Sequence, residues 1–347
     1  MTLLLLSNTD EGVRAQTVQV EYQGKSYVGR PLAWDGQEMV VLRRDGRMAI
    51  LPVASDRDYQ VIDTDFRPFS VEDLRQQLKR EFGGKYQISV TRHFIVVHPH
   101  GHHQVWAQPF ENLYTRFRHY FSSRQFNLQT PEFPMIAVVL KTREEFDRFL
   151  VRYQYYDSQI LGYYSPKSNR IITYQQGGDE NLAWLDSAST IIHEAAHQVA
   201  FNTGLHLRFS PLPRWISEGL AMLFEAPGIN NSAHFTHQRD RINQPRLSEL
   251  QSLIRSGKVE GKLIQLISGD ELFRTDPQAA YALAWGLTFY LSEKMPRQYF
   301  AFLSADGQRK DFADYTSAQR LQAFSTAFGS RFEELESRMY QFLASLE

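Results

Sequence analysis

The sequence predicts an α+β protein in which a small all-β domain precedes a larger domain with a mixed sheet and a helical C-terminal part. Three observations lead to this fold class. Short alternating stretches separated by turn residues fill the segment from about residue 17 to residue 62. Strand-like and helix-like stretches then follow one another up to Tyr174, and amphipathic or apolar helical patterns dominate the remainder.

The bulk composition is that of a globular protein without a strong electrostatic bias. The 347 residues are 42% hydrophobic and 22% charged, and the formal net charge is -1. This balance gives no reason to expect nucleic acid or an anionic membrane surface as a partner. The chain has no cysteine, which excludes disulfides, thiolate metal sites and cysteine nucleophiles. A metal site must therefore use His, Asp, Glu or water.

No stretch of the sequence has the length of a membrane span. The apolar run from Leu3 to Leu6 is far shorter than the core of a signal peptide, and no basic residue precedes it. We expect a soluble chain. Its compartment stays open, including export to the periplasm or the medium after removal of a leader, and so does its oligomeric state.

The first predicted domain covers residues 1–66 and is SH3-like. Residues 18–22 alternate apolar and polar side chains, and further strand candidates lie at residues 26–29, 38–42 and 47–51, with Asp45-Gly46 as a hairpin turn. Packing on the rest of the chain is the simpler role for this domain. A recognition module is the alternative.

The second predicted region covers residues 67–347 and has three parts. Residues 67–160 form an α/β part, which opens with a capping box from Ser70 to Asp73 and includes a helix from about Pro109. Residues 161–228 hold an edge hairpin and two metal-binding helices, and residues 229–347 are helical. The hairpin is expected to place two strands around the turn at residues 166–169.

Residues 193–197, His-Glu-Ala-Ala-His, carry the strongest chemical signal. They lie in a stretch with helical periodicity, so both histidines project from one face and can bind the same metal ion. Glu194 lies beside that face, where it can take a proton from a water activated by the metal. This is the zincin pattern. Asp186 or Ser187 is expected to cap the helix.

Three positions compete for the role of third metal ligand. Metzincins need a glycine and a histidine where this chain has Ala200 and Thr203, so that class is excluded. His206 follows the end of the helix and is a poor candidate for a ligand. We expect it to be a loop residue. Glu218 lies among apolar residues on a second helix, where a carboxylate needs a partner or a metal. Glu218 is therefore the strongest candidate.

Two other groups have competing interpretations. Four histidines lie between His98 and His103, a cluster that could bind metal, but Pro99, Gly101 and the lack of a neighbouring acid favour a polar turn. Glu225 lies near the end of the second helix. We expect it to be solvated, or alternatively to orient a ligand histidine.

The two helical motifs together resemble those of the gluzincin metallopeptidases. His193-Glu194-x-x-His197, followed by residues 215–221 (W-I-S-E-G-L-A), is similar to the bacterial peptidase-MA-like group that includes the DUF1570 proteins. The resemblance implies a zincin-like fold. Thermolysin-like gluzincins carry an aspartate four residues after the ligand glutamate. This chain has Met222 there, so the surroundings of the metal must differ.

The resemblance also implies roles for individual residues. His193, His197 and Glu218 would hold one Zn²⁺ per chain, and Glu194 would be the catalytic base. In this group a tyrosine or histidine from a downstream helix binds the oxyanion. Tyr281, near the start of a predicted helix, is the candidate, although packing in the core accounts for it equally well.

We therefore predict a zinc-dependent peptidase that acts on peptide or protein substrates. Aminopeptidases of this class carry an acidic motif on the edge strand before the zinc helix. Residues 170–174 contain no acid, which favours cleavage within a chain. Two alternatives stay open: a non-catalytic binding or scaffolding protein on a peptidase fold, and a zinc hydrolase that acts on a non-peptide bond.

Overall fold

The computed structural model describes residues 16–100, 103–151, 160–176 and 183–346. Within these residues the chain is α+β, with the sheets in its N-terminal part and helices throughout its C-terminal part. This confirms the predicted α+β class with a helical C-terminal part, and the zincin-like fold stays a prediction. The chain divides into two compact units, one within Met1–Gln108 and Pro131–Trp184 and the other within Pro109–Thr130 and Leu185–Glu347. The apolar run from Leu3 to Leu6 lies outside the described residues.

The first sheet is an antiparallel arrangement of short strands. In the described part of the chain they are β1 (Thr17–Tyr22), β2 (Lys25–Trp34), β3 (Glu38–Arg43), β4 (Met48–Pro52) and β5 (Tyr59–Asp63). Their order across the sheet is β4-β3-β2-β1-β5. Gly24 and Gly46 lie in its turns with φ of 69° and 79°, which glycine adopts without strain. A small core that includes Val18, Val41 and Leu51 is buried against the sheet. The assignment of residues 1–66 as a separate SH3-like domain stays a prediction.

The second sheet is mixed. Its described strands are β6 (Tyr86–Val90), β7 (Phe94–Pro99), β8 (Met135–Leu140), β9 (Gly162–Ser165) and β10 (Arg170–Tyr174), in the order β6-β7-β8-β10-β9. Strand β8 runs parallel to both of its neighbours. Strands β7 and β8 are buried along their whole length, and β8 and the first four residues of β7 are apolar, as expected for strands covered on both faces. Helices α1 (Val71–Phe82) and α3 (Arg143–Val151) pack on this sheet.

The predicted hairpin is formed by β9 and β10. The two strands pair in an antiparallel register, and Asn169 closes the turn with φ of 55°, a conformation that asparagine tolerates. Tyr164 Oη donates a hydrogen bond to Asn169 Oδ1 at 2.9 Å, which fixes the turn. Strand β9 is at the edge of the second sheet.

Helices make up the second unit. In the described part of the chain they are α4 (Ala183–Asn202), α5 (Arg214–Glu225), α6 (Pro227–Asn230), α7 (Gln244–Arg255), α8 (Lys262–Ser268), α9 (Leu272–Thr275), α10 (Pro277–Lys294), α11 (Pro296–Asp306), α12 (Ser317–Phe328) and α13 (Phe332–Ala344). Helix α10 is buried over most of its length and lies against α5, α7 and α11. None of the described helices combines the length and the apolar character that a membrane crossing requires.

Two predicted helix starts are wrong. Helix α2 (His103–Ser122) begins before Pro109, which lies inside it. Proline is common in the first turn of a helix, so the sequence predicted that the helix begins near Pro109. Instead the helix continues through Pro109 and tolerates the loss of one backbone hydrogen bond. Helix α4 begins at Ala183, so neither Asp186 nor Ser187 caps it.

The histidine cluster is divided between several environments. His98 is fully buried in β7, where its Nε2 lies 2.8 Å from Ser89 Oγ and its Nδ1 lies 2.8 Å from the carbonyl oxygen of Pro99. His100 Nε2 lies 2.8 Å from the carbonyl oxygen of Gly84. Both histidines therefore make contacts with neighbouring protein groups. Residues 101 and 102 lie outside the described part of the chain.

Helix α5 approaches α10 so closely that only glycine fits at position 219. A Cβ atom on Gly219 would lie 2.1 Å from Thr288 Oγ1 and 2.5 Å from the carbonyl oxygen of Ala284. The carbonyl belongs to a buried helix and cannot rotate away. The contact therefore fixes the distance between the two helices beside Glu218.

Replacement of Gly219 by alanine is expected to lower the free energy of unfolding. Alanine favours a helix by about 1 kcal/mol over glycine, but overpacking against a backbone atom costs about 1–3 kcal/mol. We expect the second effect to win, with a net loss of up to about 2 kcal/mol in chemical denaturation. Gly269→Ala, at a site where a Cβ meets no atom within 4 Å, is the matched control. Equal stability of the two variants would contradict the prediction.

Candidate metal centre

The histidines of the motif converge at their Nε2 atoms. His193 and His197 lie one turn apart on α4, with their ring planes at 81° and their ring centroids 4.8 Å apart. The two Nε2 atoms are 3.1 Å apart. The helix thus presents two imidazoles to one point, as the four-residue spacing predicted.

Glu218 on α5 completes a group of three. Its Oε2 lies 3.3 Å from His193 Nε2 and 3.7 Å from His197 Nε2. The three side chains are between 11% and 19% exposed, so the group is shielded but open to solvent on one side. Within the described residues, these three form the group of His, Asp or Glu side chains close enough to share a metal ion. The structure thus brings together the three residues proposed as ligands.

The spacing of the three atoms fits a zinc ion. Ligand atoms about 2.0–2.1 Å from zinc stand about 3.3 Å apart at the corners of a tetrahedron. The separations of 3.1, 3.3 and 3.7 Å lie around this value. Two imidazole nitrogens and one carboxylate oxygen are also a donor set that suits zinc, and they leave one corner of the tetrahedron open.

The protonation of the group also fits a cation site. Burial lowers the pKa of His193, but its hydrogen bonds with Glu218 and Glu225 outweigh this and raise the pKa well above the ordinary value. Burial raises the pKa of Glu218, but its bonds with His193 and His197 hold that pKa well below the ordinary range. The protein therefore places a positive charge among these carboxylates, and a metal ion can take the place of the proton.

A carboxylate outside the group holds His193 in place. Glu225 Oε1 lies 2.8 Å from His193 Nδ1, and Asn243 Nδ2 donates a hydrogen bond of 2.8 Å to the other carboxylate oxygen. A proton on Nδ1 leaves the Nε2 lone pair for a metal. The expectation that Glu225 is solvated is therefore wrong, and the alternative of an orienting role fits its contacts. Glu225 offers a carboxylate to His193, which the buried, uncharged side chain of Met222 cannot do.

Replacement of Glu225 by alanine is expected to weaken zinc binding by about 10- to 100-fold, because His193 loses the partner that fixes its tautomer and orientation. The dissociation constant can be measured by competition with a chelator of known affinity. Glu333→Ala removes an exposed carboxylate on α13 and is the matched control. An unchanged dissociation constant in Glu225→Ala would show that this contact does not orient a ligand.

Glu194 lies on α4 between the two histidines and is only 8% exposed. Its negative charge is close enough to His193 to contribute to the raised pKa of that imidazole. The position is compatible with the predicted role as a base.

Tyr281 is connected to the group through an arginine. Its hydroxyl accepts a hydrogen bond of 2.6 Å from Arg214 Nη2, and Arg214 Nε lies 3.5 Å from Glu218 Oε1. The phenol ring also meets the edge of Phe273, with ring centroids 5.2 Å apart. Sequence reasoning missed Arg214, although its position four residues before Glu218 on a helix could have indicated the pair.

His206 is outside the group of three. It is 1% exposed and its ring lies edge-on to Phe201, with centroids 5.4 Å apart. Burial lowers the pKa of His206 to about 3, so this imidazole is neutral. His206 thus lies in the loop after α4, as predicted, and is buried there.

The matched part of the chain includes the candidate metal centre. A family model described as "Protein of unknown function (DUF1570)" matches residues 187–313, and no curated protein matches the chain. The matched segment contains His193, His197, Glu218 and Tyr281. It supports the resemblance to DUF1570 over that segment without assigning an activity. Residues 187–313, which carry the candidate metal centre, are therefore similar to a family whose function is unknown.

Proposed function

We propose that this protein is a zinc-dependent peptidase of the gluzincin type, with a zincin-like fold and a preference for cleavage within a chain. The observation that carries the proposal is the convergence of His193 Nε2, His197 Nε2 and Glu218 Oε2, at the spacing of a tetrahedral zinc site. The buried carboxylate of Glu194 beside this point supplies the base that hydrolysis needs.

Bound zinc would supply a Lewis acid that lowers the pKa of a water molecule and polarises the substrate carbonyl. In the proposed reaction Glu194 accepts a proton from the attacking water and then delivers it to the leaving amine. Glu225 and Asn243 keep His193 in the required orientation. Glu218 contributes the negative charge that compensates part of the charge of the ion.

Arg214 prepares Tyr281 for the role of oxyanion donor. A guanidinium has donors and no acceptor, so the proton of the Tyr281 hydroxyl must point away from the bond to Arg214. The adjacent positive charge also makes the phenol a stronger donor. In the proposal Tyr281 donates this proton in a hydrogen bond to the tetrahedral oxyanion.

Replacement of Tyr281 by phenylalanine is expected to lower kcat by about 100- to 1000-fold, with KM and zinc content little changed, because the lost hydrogen bond forms mainly in the transition state. Tyr340→Phe removes a hydroxyl that binds Glu336 and the carbonyl oxygen of Val259, and serves as the control. A kcat equal to that of the control would assign Tyr281 to packing.

The proposal is tested by elemental analysis and a peptide-library cleavage assay on protein purified without chelators. We expect one zinc per chain, cleavage at internal bonds, loss of cleavage with EDTA and recovery with added zinc. Absence of zinc would contradict the proposal. Peptide that binds without being cleaved would favour a binding protein, and turnover of esters or other bonds alone would favour a hydrolase of a non-peptide bond.

A further inference from the structure

A cavity in the helical unit, separate from the candidate metal centre, has the properties of an anion site. It has a volume of about 640 Å³ and is lined by residues between 115 and 124, at the end of α2 and just beyond it, by the segment after α5 and by Arg241. None of the residues that line it, all within the described part of the chain, is acidic. The lining includes Arg116, Arg124 and Arg241 but neither the candidate metal ligands nor Tyr281.

Two of the three guanidinium groups have no carboxylate beside them. Arg116 is partly buried and makes no ion pair with any residue of the described ranges. Arg124 donates a hydrogen bond of 2.9 Å to the carbonyl oxygen of Tyr120 and stacks over its ring at 3.7 Å, but has no acidic partner in the described chain. Arg241, in contrast, pairs with Glu293. The cavity therefore holds excess positive charge in a chain whose net charge is -1.

The walls of the cavity are held in place before any ligand binds. A Cβ atom on Gly228 would lie 2.7 Å from the backbone carbon of Asp240, so the two segments of the wall are in direct contact. Asn230 Nδ2 donates a hydrogen bond of 2.8 Å to the carbonyl oxygen of Phe224, which ties α6 to the end of α5. A preformed site loses little conformational entropy when it binds a ligand.

The lining also has an apolar side. Ile229 and Phe235 contribute to it, and Phe235 is 43% exposed, so its ring is accessible to a ligand. Guanidinium groups match the geometry of carboxylate and phosphate oxygens. The volume lies in the range of about 300–1000 Å³ that small-molecule sites occupy.

We propose that this cavity binds a small anionic ligand, with a carboxylate or phosphate group on Arg116 and Arg124 and an apolar portion against Phe235. The proposal goes beyond the proposed peptidase function and does not depend on it, since none of the candidate catalytic residues lines the cavity.

Isothermal titration calorimetry with defined probes tests the site on the full chain. Phenylphosphonate and phenylacetate carry the two anionic groups on the same apolar ring, and benzyl alcohol is the neutral analogue. We expect both anions to bind and the alcohol not to bind, and the tighter anion identifies the natural group. Arg116→Gln and Arg124→Gln should each weaken binding by about tenfold or more, the usual effect of losing a charged hydrogen bond. Arg255→Gln removes an exposed arginine of the same unit and should have no effect.

Three results would overturn the proposal. The first is the absence of binding by either anion up to millimolar concentration. The second is equal binding of benzyl alcohol, which would show that the arginines do not select the ligand. The third is unchanged anion binding in a protein with both arginines replaced, which would place the anion elsewhere, for example at the metal centre. Thermal unfolding of each variant verifies that the fold is intact.

Discussion

Replacement of Glu194 by glutamine is expected to lower kcat by about 100- to 10,000-fold without loss of bound zinc. Glutamine has nearly the same shape but cannot accept a proton from water at neutral pH. Because Glu194 is 8% exposed, bulk solvent has little access to take over its role. The measurement is kcat on a cleaved peptide, together with zinc content by elemental analysis.

The two readouts separate the proposed base from a structural residue. Glu333→Gln, which removes an exposed carboxylate from α13, should leave both quantities unchanged. Loss of zinc together with activity in Glu194→Gln would mean that this carboxylate supports the metal site. Full activity with zinc retained would place the base elsewhere and contradict the proposed mechanism.

The sequence predicted best those elements whose signal is local. Ser70 accepts a hydrogen bond from Asp73 N and begins α1 with a capping box, as the pattern of residues 70–73 indicated. Strand β8 and residues 94–97 of β7 are continuous apolar runs, as expected for strands with both faces buried. The two histidines on one face of α4 follow directly from helical geometry.

Features that depend on contacts distant in the sequence could not be predicted in this way. Asn243 lies 18 residues after the carboxylate that it holds, Glu225, and no periodic pattern relates the two. The cavity with excess positive charge combines Arg116 and Arg124 with Arg241, which is far from both in the chain. Only the packing of the helices brings such residues together.

Glu225 also shows that a carboxylate from another position on α5 can hold the imidazole of a candidate metal ligand. The sequence indicated a difference, because Met222 stands where thermolysin-like gluzincins have an aspartate. In the structure Glu225, about one turn further along α5, reaches His193 Nδ1. The longer side chain of a glutamate on the next turn can thus reach a candidate ligand on the neighbouring helix. The carboxylate that fixes the imidazole therefore comes from another position on the helix.

Replacement of Glu218 by alanine is expected to weaken zinc binding by more than about 100-fold. That value is the upper limit for loss of a residue that only orients a ligand. The variant removes an oxygen that lies 3.3 Å and 3.7 Å from the two histidine nitrogens and leaves two protein ligands. A ligand that binds only the folded state raises its stability according to the ratio of its concentration to its dissociation constant. Added zinc should therefore raise the Tm of the wild type much more than that of Glu218→Ala.

Comparison with Glu225→Ala makes this prediction specific to coordination. Both substitutions remove a carboxylate of α5 that contacts His193, but only Glu218 lies on the Nε2 side, where the three candidate ligand atoms meet. We expect zinc affinity to fall in the order wild type, Glu225→Ala, Glu218→Ala, with Glu333→Ala equal to the wild type. The reverse order for the two α5 variants would indicate that Glu225, and not Glu218, supplies the third ligand.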